Sequence, residues 1–114
     1  MGLGSKVQVI IDRPLGSVHP KHASLYYPIN YGYITGIIAP DGDEQDAYIV
    51  GVDKPLTTFT GIVIAIITRF DDVEEKWVVA PENCSFTREM IREQVYFQEQ
   101  YFDTQIQMAN DDIE

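Results

Sequence analysis

The chain has 114 residues, with 8 Lys+Arg against 18 Asp+Glu, a formal net charge of −10 and 45% hydrophobic residues. That length fits one domain, burying somewhat under ~70% of its unfolded surface, and the acidic balance argues against nucleic acid, whose phosphates it would repel. Cys84 is the only cysteine, so neither an intrachain disulfide nor a zinc quartet can form, and a reducing cytoplasm is the expected home. The longest apolar run, residues 62–67, has strand length rather than the ~18 residues of a membrane span, and the first residues lack a signal-peptide pattern.

In chain order, residues 1–5 read as a loose leader, and Val7–Ile11 as a strand on β-branched content, ended by Pro14 and Gly16. Residues 13–30, with Pro14, Gly16, Pro20 and Pro28, read as a long irregular connection. Tyr31–Ile38 returns to strand, Pro40-Asp41-Gly42 makes a turn, and Ala47–Val50 is a short apolar strand. Thr60–Arg69 and Lys76–Ala80 form a further pair. The helix comes last, with Thr87 as N-cap, Glu89 in the first turn and Phe86 stapled on Ile91. Ile91, Val95 and Phe102 repeat at helical spacing, beside a stripe of Met90, Phe97 and Tyr101. Residues 107–114 read as a loose acidic tail. The pattern predicts a mainly β single domain over 1–114, a small five-stranded OB-like barrel with one C-terminal helix packed on it.

Acids cluster at Asp41-Gly42-Asp43-Glu44-Gln45-Asp46 and again at 71–75, both expected on turns between strands. Acids at this spacing repel, so either they are splayed in water at hairpin tips or a bound cation compensates them. An EF-hand is excluded, since its sixth position would be Asp46 instead of Gly and its twelfth Val52 instead of Glu. Gly42 lets Asp41, Asp43 and Asp46 converge, and a second acidic turn ending in Lys76 can join them. Oxygen ligands without His or Cys select Mg²⁺, or Mn²⁺, over Zn²⁺. Such ions are commonly shared with phosphate, for which Lys21, Lys76, Tyr27, Tyr31 and Tyr101 are candidate contacts.

Three ordered segments carry a resemblance: Tyr27-Pro28-Ile29-Asn30-Tyr31-Gly32-Tyr33-Ile34, then Asp41-Gly42-Asp43-Glu44-Gln45-Asp46, then an acidic turn ending Lys76-Trp77-Val78-Val79-Ala80-Pro81. Together they resemble the signatures of the soluble family I inorganic pyrophosphatases, over about Val9 to Phe102. The resemblance implies Mg²⁺-dependent hydrolysis of pyrophosphate to two phosphates by a cytoplasmic homo-oligomer, with neither nucleic acid nor membrane as partner. It makes Asp41 and Asp46 metal ligands, with Asp71 and Glu74 completing the site and Asp12 at its edge. Asp43 becomes the base for the metal-bound water, and Lys21, Tyr27, Tyr31, Lys76 and Tyr101 hold phosphate. The chain departs from the family pattern before Tyr27, where only five residues follow Lys21 and a phosphate-clamping Arg segment is missing, with Arg13 and His19 the candidates to replace it. It departs again at Glu44, Glu74 and Phe102. A pyrophosphatase-like protein that binds metal and phosphate compounds in a regulatory role is therefore the alternative reading, and a nucleic-acid-binding OB barrel, opposed by the charge, is a third.

Overall fold

The computed structural model describes residues 2–71 and 74–108. Eight strands and one helix follow in order: β1 Lys6–Arg13, β2 Val18–His19, β3 His22–Tyr26, β4 Asn30–Ile38, β5 Glu44–Ile49, β6 Thr58–Arg69, β7 Glu75–Ala80, α1 Arg88–Glu99 and β8 Thr104–Met108. The sheet runs β1-β4-β5-β7-β6, and β6 pairs back onto β1, closing a five-stranded barrel as expected from the sequence. All its pairings are antiparallel except β5–β7, where Ala47, Tyr48 and Ile49 face Trp77, Val78 and Val79 in parallel.

Strand β6 is long enough to serve three neighbours: its first half pairs with β1, its second half with β8, and its other edge with β7. Its period-2 pattern is regular, with Gly61, Val63, Ala65, Ile67 and Arg69 buried in turn. Strands β5 and β7 are buried on both faces. Ala47, Ile49, Trp77 and Val79 join Val7, Val9, Ile11, Ile34 and Val63 inside the barrel. The opposite face, through Tyr48, Val50, Val78 and Ala80, packs with Ile91 and Val95 of α1. Where β1 crosses β4, Gly32 is required by close approach: a Cβ there would lie 1.9 Å from the Ile10 carbonyl oxygen.

Thr87 caps α1 as expected, its Oγ1 accepting the Met90 N–H at 3.1 Å, and Phe86 shares a core cluster with Ile91. The helix stops at Glu99, so Phe102 and Tyr101, expected on its stripes, lie beyond it, and Glu99 takes the phase set by Ile91 and Val95. The helix is also not the last element, because β8 follows and pairs with β6. Only Ile106 of β8 is buried, so its sequence carries little apolar alternation. Gln107 and Met108 thus belong to a strand, while 109–114, the rest of the expected tail, and Met1 of the leader lie outside the described residues. Residues 2–5 are tied down, with the Gly4 N–H donating to the Val63 carbonyl at 2.8 Å.

Residues 13–30 are less irregular than expected. β2 and β3 form a hairpin turned through Pro20 and Lys21, with the Tyr27 N–H donating to Ser17 O at 2.9 Å. β3 is exposed on both faces, so no alternation marks it. Buried Asn30 then clips this segment to the β5–β6 connection: Oδ1 accepts from the N–H groups of Leu15 and Leu56, and Nδ2 donates to Lys54 O.

Candidate active site

A cavity of about 680 Å³ opens where β1, the β2–β3 hairpin, β4, β5, β7 and the end of α1 meet. Parallel pairing brings Lys76 on β7 beside Asp46 on β5, and β4 brings up Tyr31. The Lys76 Nζ donates to Asp46 Oδ2 at 2.6 Å, Tyr31 OH at 2.9 Å and Glu74 Oε2 at 3.2 Å. Burial pulls the Lys76 ammonium down, but the Tyr31 hydroxyl and the Asp46 carboxylate outweigh it and hold the group above the ordinary lysine value. Tyr31 is raised chiefly by burial, against the pull of Lys76, so at neutral pH it is a neutral phenol.

Beneath the cavity lies a buried polar chain. Arg69 donates Nε and Nη2 to the two carboxylate oxygens of Glu99, at 2.9 and 2.7 Å. Tyr48 donates to Glu99 Oε2, Gln98 Nε2 donates to the Tyr48 hydroxyl at 2.7 Å, and Tyr27 donates to Gln98 Oε1 at 3.1 Å. The Arg69 guanidinium carbon also stacks 3.6 Å above the Phe102 ring, which gives Phe102 its place. This chain joins β5, β6, α1 and the β3–β4 connection, and it orients the Tyr27 phenol at the cavity wall.

Of the residues singled out from sequence, Asp12, Asp46, Tyr27, Tyr31, Lys76 and Tyr101 line the cavity. Glu74 reaches it through Lys76. Asp46 sits within strand β5 instead of on a turn, and Asp12 lies within β1. Asp41 and Asp43 lie on an exposed turn outside the cavity. There Gly42, at φ +92°, bends the chain so that the Ala39 N–H meets Asp43 O, and Asp41 Oδ1 accepts the Asp43 N–H at 3.1 Å. Asp71 is exposed and faces the Asp103 N–H, and Lys21 is exposed in the hairpin turn, neither lining the cavity. Asp72 lies outside the described residues.

No family model matches the chain. A stretch of 64 residues, 54% of this chain, is 34% identical to the inorganic pyrophosphatase of Caulobacter vibrioides, and this alignment spans about a third of that protein's length (34%). Solved structures agree over more of the chain. The inorganic pyrophosphatase of Ehrlichia chaffeensis superposes with a TM-score of 0.71 over 96% of this chain and 89% of that one, at 17% identity. That of Neisseria gonorrhoeae gives 0.64 over 86% and 74%, at 22% identity. The chain carries the inorganic pyrophosphatase fold.

On this pyrophosphatase barrel the fit of a metal can be judged from the donors. Among the described residues no three His, Cys, Asp or Glu side chains converge as a metal cage. Mg²⁺, however, is usually held by one or two carboxylates together with substrate phosphates. Asp46 and Asp12 face one cavity, and Asp12 is held above the ordinary carboxylate value by burial, with Arg13 opposing and Asp46 adding to the rise. These two fit an ion that arrives with its phosphate; Asp41 and Asp71 stand outside that arrangement.

Three cavity residues of this pyrophosphatase-like chain, Arg69, His22 and Gln98, escape sequence reasoning, and Arg13 and His19 are legible there only as candidate replacements for the missing clamp. Arg69 and its partner Glu99 do leave a signal. Each is a charge in the buried phase of its element, after Val63, Ala65 and Ile67 in one case and after Ile91 and Val95 in the other.

Proposed function

We propose that the chain hydrolyses inorganic pyrophosphate to two phosphates with Mg²⁺. The observation that supports this most is the Lys76–Asp46–Tyr31 cluster at the mouth of a pyrophosphatase barrel. A buried ammonium and a neutral phenol give the donors a phosphate needs, and two carboxylates on one ammonium leave negative charge to attract a cation. When bound, Mg²⁺ neutralises phosphate charge and acidifies water. Asp46 and Asp12 would hold it. Lys76, Tyr31, Tyr27 and Tyr101 bind and orient phosphate oxygens, and Asp43, on the exposed turn that leads into β5, is assigned the proton of the attacking water from the family resemblance and not from its place in the cavity. Among the described residues no helix is long and apolar enough to cross a membrane; a cytoplasmic homo-oligomer is the proposed setting.

The regulatory alternative is favoured by one observation, the placement of Asp41 and Asp43 outside the cavity. Phosphate release from pyrophosphate, with and without Mg²⁺, separates the two. Hydrolysis is expected, with Asp43→Asn and Asp46→Asn each slower by about 10²-fold or more. Wild-type release no faster than a protein-free blank, combined with calorimetric binding of Mg²⁺ and pyrophosphate, would establish the alternative instead, whereas an active wild type matched by Asp43→Asn would remove only the Asp43 assignment.

A further inference from the structure

Three cations and two histidines line the cavity, and their partners differ. Lys76 carries two carboxylates, and Arg69 is held in a two-pronged pair by buried Glu99. Arg13 has no buried carboxylate of this kind: its partners are its neighbour Asp12, at 3.7 Å to the carboxylate and 3.3 Å to the carbonyl, and the phenol of Tyr27. Its Nε is shielded from solvent yet has no hydrogen-bond partner among the described residues. A buried donor left unpaired costs free energy unless something satisfies it.

The backbone aims this side chain. The β1–β4 ladder shifts register between Ile11 and Arg13, so Arg13 rather than Asp12 falls opposite Tyr31. Such bulges redirect side chains beside functional sites. The Arg13 backbone pairs with that of Tyr31, whose hydroxyl is on Lys76, while the Arg13 side chain lies beside the Tyr27 phenol, opposing the rise that burial causes there. The surplus positive charge is felt nearby: the His19 ring, held down first by burial, is lowered further by His22, Arg13 and Lys21. The His22 ring lies 4.8 Å from that of His19.

We infer that Arg13 is a phosphate-binding residue of this cavity, a guanidinium fork that takes one phosphate group of a diphosphate while Lys76 and Tyr31 take the other. The inference rests on the pyrophosphatase reading for the identity of the ligand and on the accounting of partners for the residue. A fork with unpaired N–H groups matches two oxygens of one phosphate, which an ammonium cannot do.

The test uses the full chain and methylenediphosphonate, which cannot be hydrolysed, titrated by calorimetry with Mg²⁺, alongside pyrophosphate turnover. Arg13→Gln is expected to weaken diphosphonate binding and raise KM by ~10- to 100-fold, with Arg13→Lys recovering only part of the loss. Exposed Arg92→Gln serves as the control, and matching thermal unfolding of the variants shows that the fold is kept. Arg13→Gln binding within about twofold of wild type overturns the inference; if pyrophosphate is still hydrolysed, the functional reading stands without it. Diphosphonate binding that depends on Arg13 in a chain releasing no phosphate leaves Arg13 in place and removes the hydrolytic reading. A wild-type chain that binds no diphosphonate removes both.

Discussion

Replacing Arg69 by Met tests the buried polar chain under the cavity. Arg69 and Glu99 are 6% and 5% exposed and share two hydrogen bonds. On the surface such a pair contributes less than ~1 kcal/mol. Here its removal leaves the Glu99 carboxylate buried without its cation, a change that costs about 3–5 kcal/mol. Tyr48 still donates to Glu99 and the stack on Phe102 is a smaller loss, so the lower end, ~3 kcal/mol, is expected. In a domain of this size that lowers Tm by roughly 12 °C. The double variant Arg69→Met/Glu99→Leu leaves no orphaned charge and should regain at least ~2 kcal/mol of the loss, because apolar replacement of a buried pair is often neutral or better. Urea unfolding followed by Trp77 fluorescence measures the wild type, Arg69→Met, Glu99→Leu and the double variant. A single-variant cost below ~1 kcal/mol, or a double variant as unstable as the sum of the singles, would refute the reasoning.

Two more expectations follow from close contacts and titration. Gly32→Ala places a Cβ against backbone atoms of Ile10 and Ile11 that no rotamer change can clear; a loss of at least ~3 kcal/mol is expected, and a urea midpoint near wild type would show that β1 and β4 separate freely. Lys76 is held above its ordinary value of 10.5, so its contribution to stability is complete below that pH and is lost as pH climbs through the higher folded value. Unfolding free energy measured from pH 9 upward should therefore fall more steeply in wild type than in Lys76→Met. Parallel slopes would mean that Tyr31 and Asp46 do not stabilise the ammonium.

The barrel was legible because β1 and β4 to β7 write their burial in β-branched and apolar residues, and α1 because its cap and stripe are local. β2, β3 and β8 were not, since strands with one buried residue or none carry no period to read. At the site, Tyr31, Asp46 and Lys76 lie on strands whose pairing brings them together, and Tyr27 sits in the short connection just before β4. Asp41, Asp43, Asp71 and Lys21 share the right chemistry, but turns place them elsewhere, and turn geometry is written only weakly in residue type. Arg13 could be named only as one of two stand-ins for the missing clamp, because a bulge, not its spacing, turns it toward the cavity.

Closure of the barrel also sets how the chain folds. β1 meets β6 only after roughly fifty residues, and the parallel seam needs β7, later still, so contacts of high sequence separation must form before the ring is complete. Until then β1, β4 and β5 make an open ribbon with two bare edges, a surface on which unfinished copies can pair with each other. Slow, millisecond-or-longer folding and a need for dilution on refolding are thus built into the order in which these strands leave the ribosome.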